Sequence, residues 1–307
     1  MRQWALVVCL TVMCAVPAVA QTVVRSRVDV VHFAVAVLDK TSDAVPNLTA
    51  ADFELIEDGR AQEIRYLAMG EDGEPPPLHV GLLFDTSGSM SDDIKIARGA
   101  AIRFLNRLQH AEDMTLVDFD TEVRVARYGQ ADFPRLVERL RGRKPDGWTA
   151  LYDALGVYLD GALDQQGQKV LIVYTDGGDT TSEMTFRDCL EGLKASDVSV
   201  YAIGFLEHQS SSVKMQQKLY LQQIAEATGG RAFFPMSIKE IDKAYDQIEQ
   251  ELQTRYLLGY VSSNTSTDGK WRDVEIKLKR PDLKDARLRT RKGYYALFRD
   301  QSTGGSK

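Results

Sequence analysis

The chain of 307 residues is poor in the residue types on which many functional readings rest. It has three cysteines and four histidines. Two of the cysteines, Cys9 and Cys14, fall within the first twenty residues, so a chain shortened there keeps Cys189 alone. A lone thiol forms no internal disulfide, and a Cys-based zinc site is excluded. The histidines stand at 32, 79, 110 and 208, and no Gly-x-Ser-x-Gly elbow is present, so a serine hydrolase lacks its parts. There is no phosphate-binding loop and no Gly-x-Gly-x-x-Gly fingerprint. Excess positive charge is also missing: 38 Lys and Arg stand against 44 Asp and Glu, a net charge of -6. Nucleic acid is therefore an unfavoured partner, because phosphate contacts need clustered positive charge. Past residue 20 no apolar run is long enough to span a bilayer. What is there is ordinary for a globular chain, with 44% hydrophobic and 27% charged residues.

Residues 1–20, MRQWALVVCLTVMCAVPAVA, carry one positive residue, an apolar run from Trp4 to Val16, and Ala18-Val19-Ala20 after Pro17. That is the layout of a secretory signal peptide cleaved after Ala20. The expected location is secreted or periplasmic.

Three regions follow. Residues 21–69 alternate as strands do (Val31, Phe33, Val35, Val37), with Asp58-Gly59 as a hairpin turn. Residues 70–77, GEDGEPPP, have linker character. Residues 78–254 change pattern. VGLLF (80–84) and KVLIVYT (169–175) read as buried strands, and Met114–Phe119, Glu122–Tyr128 and VSVYAIGF (198–205) as strands. Helical spacing falls between them: a helix capped by Ser91, then Thr149–Leu163, Phe186–Ala195, Lys214–Thr228 and Ile238–Gln253. This alternation predicts an α/β fold, a doubly wound and mostly parallel sheet. Strand patterns return in 255–300, and 301–307 read as a disordered tail. Each flank is too short for a core of its own. Together they have the size of an immunoglobulin-like β-sandwich, so the α/β domain is expected as an insertion in one β-domain built from 21–69 and 255–300.

The chemistry concentrates after the first buried strand. Asp85, Ser87 and Ser89 place a carboxylate and two hydroxyls at i, i+2 and i+4. Asp176 follows the strand 169–175, and Thr149 follows the loop Pro145-Asp146-Gly147-Trp148. Ligands of open α/β sheets bind beyond the carboxyl ends of the strands. Five oxygen donors without His or Cys suit a hard divalent cation, Mg²⁺ or Mn²⁺ before Ca²⁺, and disfavour zinc. Two carboxylates leave the ion with residual charge and an open position, which an Asp or Glu of a protein partner would fill.

These residues resemble the von Willebrand factor type A (VWA) domain and its metal-ion-dependent adhesion site. The family's D-x-S-x-S motif is matched by Asp85, Ser87 and Ser89, its threonine by Thr149 in GWTAL, and its second aspartate by Asp176 in YTDGGD. The resemblance covers about residues 78–254. It implies that Ser87, Ser89 and Thr149 touch the ion, that Asp85 and Asp176 act directly or through water, and that a partner carboxylate completes the shell. The flanking stretches LTAADFELIEDGR (48–60), RYLLGYV (255–261) and RTRKGYYAL (289–297) are similar to those of secreted bacterial proteins with VWFA-related domains.

Other readings compete. The motif could be an ion-free hydrogen-bonded loop. The metal could only stiffen the loops of a scaffold subunit. A metal-dependent hydrolase would have no general base beyond Asp179, so no catalytic residue is assigned. His79 and His110 read as structural, and His208 as a loop residue without a partner. Asp179, Thr180, Thr181 and Ser182 read as a cap for the helix that follows them. Arg287, Arg289 and Arg291 share one strand face, read as a solvated outer surface. Trp148 is balanced between a partner contact and loop packing. The expectation is thus a non-enzymatic, metal-dependent protein-binding module with no membrane span.

Overall fold

The computed structural model describes residues 30–41, 43–68, 77–108 and 110–298. The expected signal peptide, most of the expected linker and the expected tail lie outside the described residues.

Two groups of strands are present. The central group is β5 (Leu78–Asp85), β6 (Asp113–Phe119), β7 (Val123–Gly129), β8 (Gln168–Thr175), β9 (Val198–Gly204) and β10 (Arg231–Phe233). They form one sheet in the order β10-β9-β8-β5-β6-β7, parallel except for the β6–β7 pair. Every residue of β5, β8 and β9 is buried. That explains their continuous apolar runs: a strand covered on both faces has no polar side to alternate with. Val80, Leu82 and Phe84 face one hydrophobic core with α1 (Ile94–Arg107), α2 (Phe133–Gly142) and α6 (Ile238–Thr254). Leu83, Leu171 and Val173 face the other with α3 (Leu151–Ala162), α4 (Phe186–Ala195) and α5 (Ser211–Ala227). Gly81 permits one of these contacts, because a Cβ there would lie 2.2 Å from the Tyr158 ring.

From β5 the chain moves to β6 on one side, and later returns to β8 on the other. The two winding directions part between β5 and β8. Crevices form at the carboxyl ends of strands at such a switch point. Asp85 ends β5 and Asp176 follows β8, so the topology alone brings these two carboxylates to one crevice.

The second group comes from both ends of the chain: β1 (Val30–Leu38), β2 (Phe53–Glu57), β3 (Arg60–Gln62), β4 (Ile64–Ala68), β11 (Tyr256–Val261), β12 (Trp271–Leu278), β13 (Arg287–Arg289) and β14 (Gly293–Tyr295). They form two antiparallel sheets, β13-β1-β11-β4 and β14-β12-β2-β3. Phe33, Val35, Phe53, Leu55, Tyr256, Leu258, Val274 and Ile276 share one core between them. Asp58 and Gly59 turn the β2–β3 hairpin with φ of 45° and 78°, the left-handed pair that a two-residue hairpin loop requires. Buried Glu57 accepts hydroxyl hydrogen bonds from Tyr260 (2.5 Å), Ser262 (2.6 Å) and Tyr294 (3.0 Å), tying both sheets to one carboxylate.

Several local expectations change. Ser91 does not cap α1: it ends a 3-10 turn at Gly88–Ser91 and donates to the Gly88 carbonyl at 2.6 Å, and Asp93 is the residue before the helix. Thr149 precedes α3 rather than opening it. Asp179 and Ser182 serve the helix before them, accepting from the Tyr152 backbone N–H at 3.2 and 3.1 Å, while Thr185 caps α4. The arginine stretch is a solvated face only at Arg287. Arg289 donates to buried Glu251 at 2.5 Å, and Arg291 donates to the carbonyls of Ser196 and His32, both at 2.8 Å. These contacts join the α/β domain to the flanking sheets. Among the described residues no helix is long and apolar enough to cross a membrane.

Candidate metal centre

Three loops meet at the carboxyl ends of β5 and β8. The first, 85–89, leaves β5 in a tight path: the Ser87 N–H donates to Asp85 Oδ1 at 2.9 Å. The Ser87 and Ser89 hydroxyls lie 3.1 Å apart. The second loop, 145–149, is stitched to the first by two backbone bonds, Gly88 N–H to the Gly147 carbonyl (3.1 Å) and Asp146 N–H to the Thr86 carbonyl (2.9 Å). Gly147 takes φ +72°, and a Cβ there would lie 2.5 Å from Thr121 Oγ1. The same Thr121 oxygen accepts from the Trp148 N–H at 2.9 Å. The third loop, 175–182, is tied to the second where Thr180 N–H donates to the Thr149 carbonyl (2.8 Å) and Thr149 N–H to Thr180 Oγ1 (2.9 Å).

Asp85 is fully buried, and Ser87, Thr149 and Asp176 are also buried, while Ser89 is exposed. Burial, with the Asp176 charge second, pushes the Asp85 carboxyl up to about 7, against hydrogen bonds that favour its ionised form. Thr175 Oγ1 donates to Asp85 Oδ2 at 2.6 Å, and Gln209 Nε2 to Asp176 Oδ2 at 3.0 Å. The other Asp176 oxygen, Oδ1, is buried and has no hydrogen-bond partner. Such an oxygen is costly in a folded chain and asks for a donor or a cation.

Thr175, Gln209, Asp93 and His208 belong to this neighbourhood and were not anticipated. His208 Nε2 lies 3.5 Å from Asp93 Oδ1, so it does have a partner. Burial raises the Asp93 carboxyl above the ordinary range, with His208 opposing. Trp148 is 67% exposed beside Thr149, which excludes loop packing as its main role. His79 is buried between the Asp113 carboxylate and the Gln166 carbonyl, both at 2.9 Å, which is a structural role at the opposite end of β5. His110 is exposed. Among the described residues no three His, Cys, Asp or Glu side chains gather where they could hold a metal ion. The three loops at the switch point instead carry two aspartates, Asp85 and Asp176, and the hydroxyl residues Ser87, Ser89 and Thr149.

An open α/β sheet with a carboxylate and hydroxyl cluster at its switch point defines a class of top-face binding domains. Within that class, the sequence pattern of the von Willebrand factor type A domain matches residues 79–247, over half of the chain, and the chain belongs to this family. VWA domains commonly bind a divalent metal at such a site. No curated protein matches the chain. Solved structures similar to it include the pilus adhesin SpaC from Lactobacillus rhamnosus GG in an open conformation, at 11% identity over 83% of this chain and 50% of that chain (TM-score 0.49). The von Willebrand factor type A protein from Catenulispora acidiphila is similar at 13% identity over 88% of this chain and 74% of that one (TM-score 0.47). The vWF domain of the type V pili tip protein Mfa5 from Porphyromonas gingivalis is similar at 12% identity over 64% of this chain and all of that one (TM-score 0.48).

Proposed function

We propose that the chain is an exported, non-enzymatic binding protein that holds an acidic protein partner through a divalent cation. Asp85, Ser87, Ser89, Thr149 and Asp176 would hold the ion. The observation that carries this reading is the buried Asp176 Oδ1 without a partner, in a crevice it shares with Asp85. The donor chemistry fits. Hydroxyl and carboxylate oxygens suit Mg²⁺ or Mn²⁺, with Ca²⁺ a third candidate, and bound cation would offset the repulsion between the two aspartates. Thr175 and Gln209 fix the carboxylates from outside, as second partners of metal ligands do. Two negative ligands leave a divalent ion attractive to one further carboxylate, and exposed Trp148 offers a neighbouring contact.

The strand pairing supports a proposed domain division in which 78–254 is inserted in one immunoglobulin-like β-domain built from 21–69 and 255–300. Export rests on the layout of residues 1–20, with secreted or periplasmic location as its consequence.

The test is partner capture from the envelope fraction of the source cell. Capture should require Mg²⁺ or Mn²⁺, and should fail with chelator and in Asp85→Ala. A partner bound equally well under all these conditions contradicts the reading.

A further inference from the structure

A cavity of about 560 Å³ lies at the opposite end of the central sheet from the aspartate pair, where the α/β domain meets the flanking sheets. Sites for small organic ligands commonly fall in the range of about 300–1,000 Å³ and at junctions between domains. Its α/β wall comes from the end of α3, the end of α4 and the starts of β8 and β9; its other wall comes from β1, β11 and Arg291.

The charges on this cavity do not balance. Lys169 is satisfied, with its ammonium 2.8 and 2.9 Å from the two oxygens of Asp197. Arg291 donates only to neutral groups, the Ser196 and His32 carbonyls. Arg255 is 2% exposed, and its Nη2 donates to the Tyr201 hydroxyl at 2.6 Å. Its Nε is buried with no acceptor. Among the described residues no carboxylate lies within ion-pair distance of Arg255 or Arg291. A buried charge is normally paired, and a guanidinium is matched best by a carboxylate or phosphate. The rest of the wall mixes hydrocarbon, including Leu159, Ala162 and Leu257, with polar residues such as Gln165 and Ser199.

We infer that this cavity binds a small organic oxyanion, with its charged head on Arg255 and Arg291 and its apolar body against Leu159, Ala162 and Leu257. Carboxylates and phosphate monoesters share this chemistry. The site is separate from the metal centre and does not depend on it.

The test is calorimetric titration of the whole chain, freed of metal by chelator and dialysis, with octanoate, octyl phosphate and uncharged octanol. Saturable one-to-one binding of octanoate or octyl phosphate is expected, and the tighter of the two names the head group. Octanol should bind at least tenfold more weakly. Arg255→Lys should weaken binding about tenfold, since a point charge replaces the planar fork. Ala195→Trp adds bulk at an exposed wall position and removes no buried group. It should melt like the parent protein and lose binding, whereas Asp85→Ala should retain it. The inference is overturned if neither anion binds saturably, if octanol binds as well as they do, or if Ala195→Trp binds like the parent.

Discussion

Asp85 concentrates the electrostatic tension of the molecule in one side chain. Its carboxyl, ordinarily near 3.8, is pushed up to about 7 by burial and by Asp176. The metal-free folded chain therefore holds a proton that the unfolded chain releases between those two values. Stability from this group is present at low pH and is lost as pH rises toward 7 and above. Thermal melts of chelator-treated protein should show the parent losing midpoint relative to Asp85→Asn between pH 4 and pH 8. A difference that stays flat over that range contradicts the assignment. Cys189 behaves in the opposite functional sense. It is 1% exposed, and burial pushes its thiol up to about 12. A thiol reagent at pH 8 should leave it unmodified in the native chain and modify it fully in denaturant. The five oxygen donors were legible in the sequence because their spacing and their positions after strands are local properties. Thr175, Gln209 and the Asp93–His208 pair were not, because each joins the neighbourhood through a contact between distant elements.

At the scale of elements, the buried strands and long helices followed from periodicity, and what was missed has local causes. Helix α2 has ten residues, with Pro134 at its start and four charged side chains, so its Phe133, Leu136 and Leu140 stripe spans barely two turns. Strand β10 has three residues and pairs with β9 at the sheet edge, too short for any alternation to show. The reassignment of Asp179 and Ser182 has one explanation: the 175–182 loop folds back onto the start of α3, and these side chains answer the nearest free N–H groups. The loop around Gly147 yields a prediction. Gly147→Ala meets both a left-handed φ and the Thr121 hydroxyl, and should cost about 1–3 kcal/mol. It should also shift the second loop and weaken divalent-ion binding. Gly59→Ala has the same kind of φ (+78°) with nothing within 4 Å, so it should cost stability but leave ion binding unchanged. Equal ion binding by the two variants would show that loop placement is unimportant to the site.

Across the whole molecule, the flanks pair with each other over about 200 residues of sequence, as in Val35 opposite Tyr256. Their shortness made a shared core legible, but strand order is set by long-range register that no local pattern carries. The junction with the α/β domain is held by Glu251, which accepts from Tyr201 at 2.9 Å and from Arg289 at 2.5 Å. Removing one member of a buried ion pair strands the other charge, so Glu251→Ala should destabilise by about 3–5 kcal/mol in denaturant unfolding. Its affinity for divalent ions at the far end of the sheet should match the parent's.

The most direct measurement is a calorimetric titration of the chain from Gln21 onward with Mg²⁺ and Mn²⁺, beside Asp85→Ala. One-to-one binding in the parent that disappears in the variant is the predicted result. Binding of equal strength in both proteins, or none in either, would contradict the assignment of Asp85, Ser87, Ser89, Thr149 and Asp176 as the metal centre.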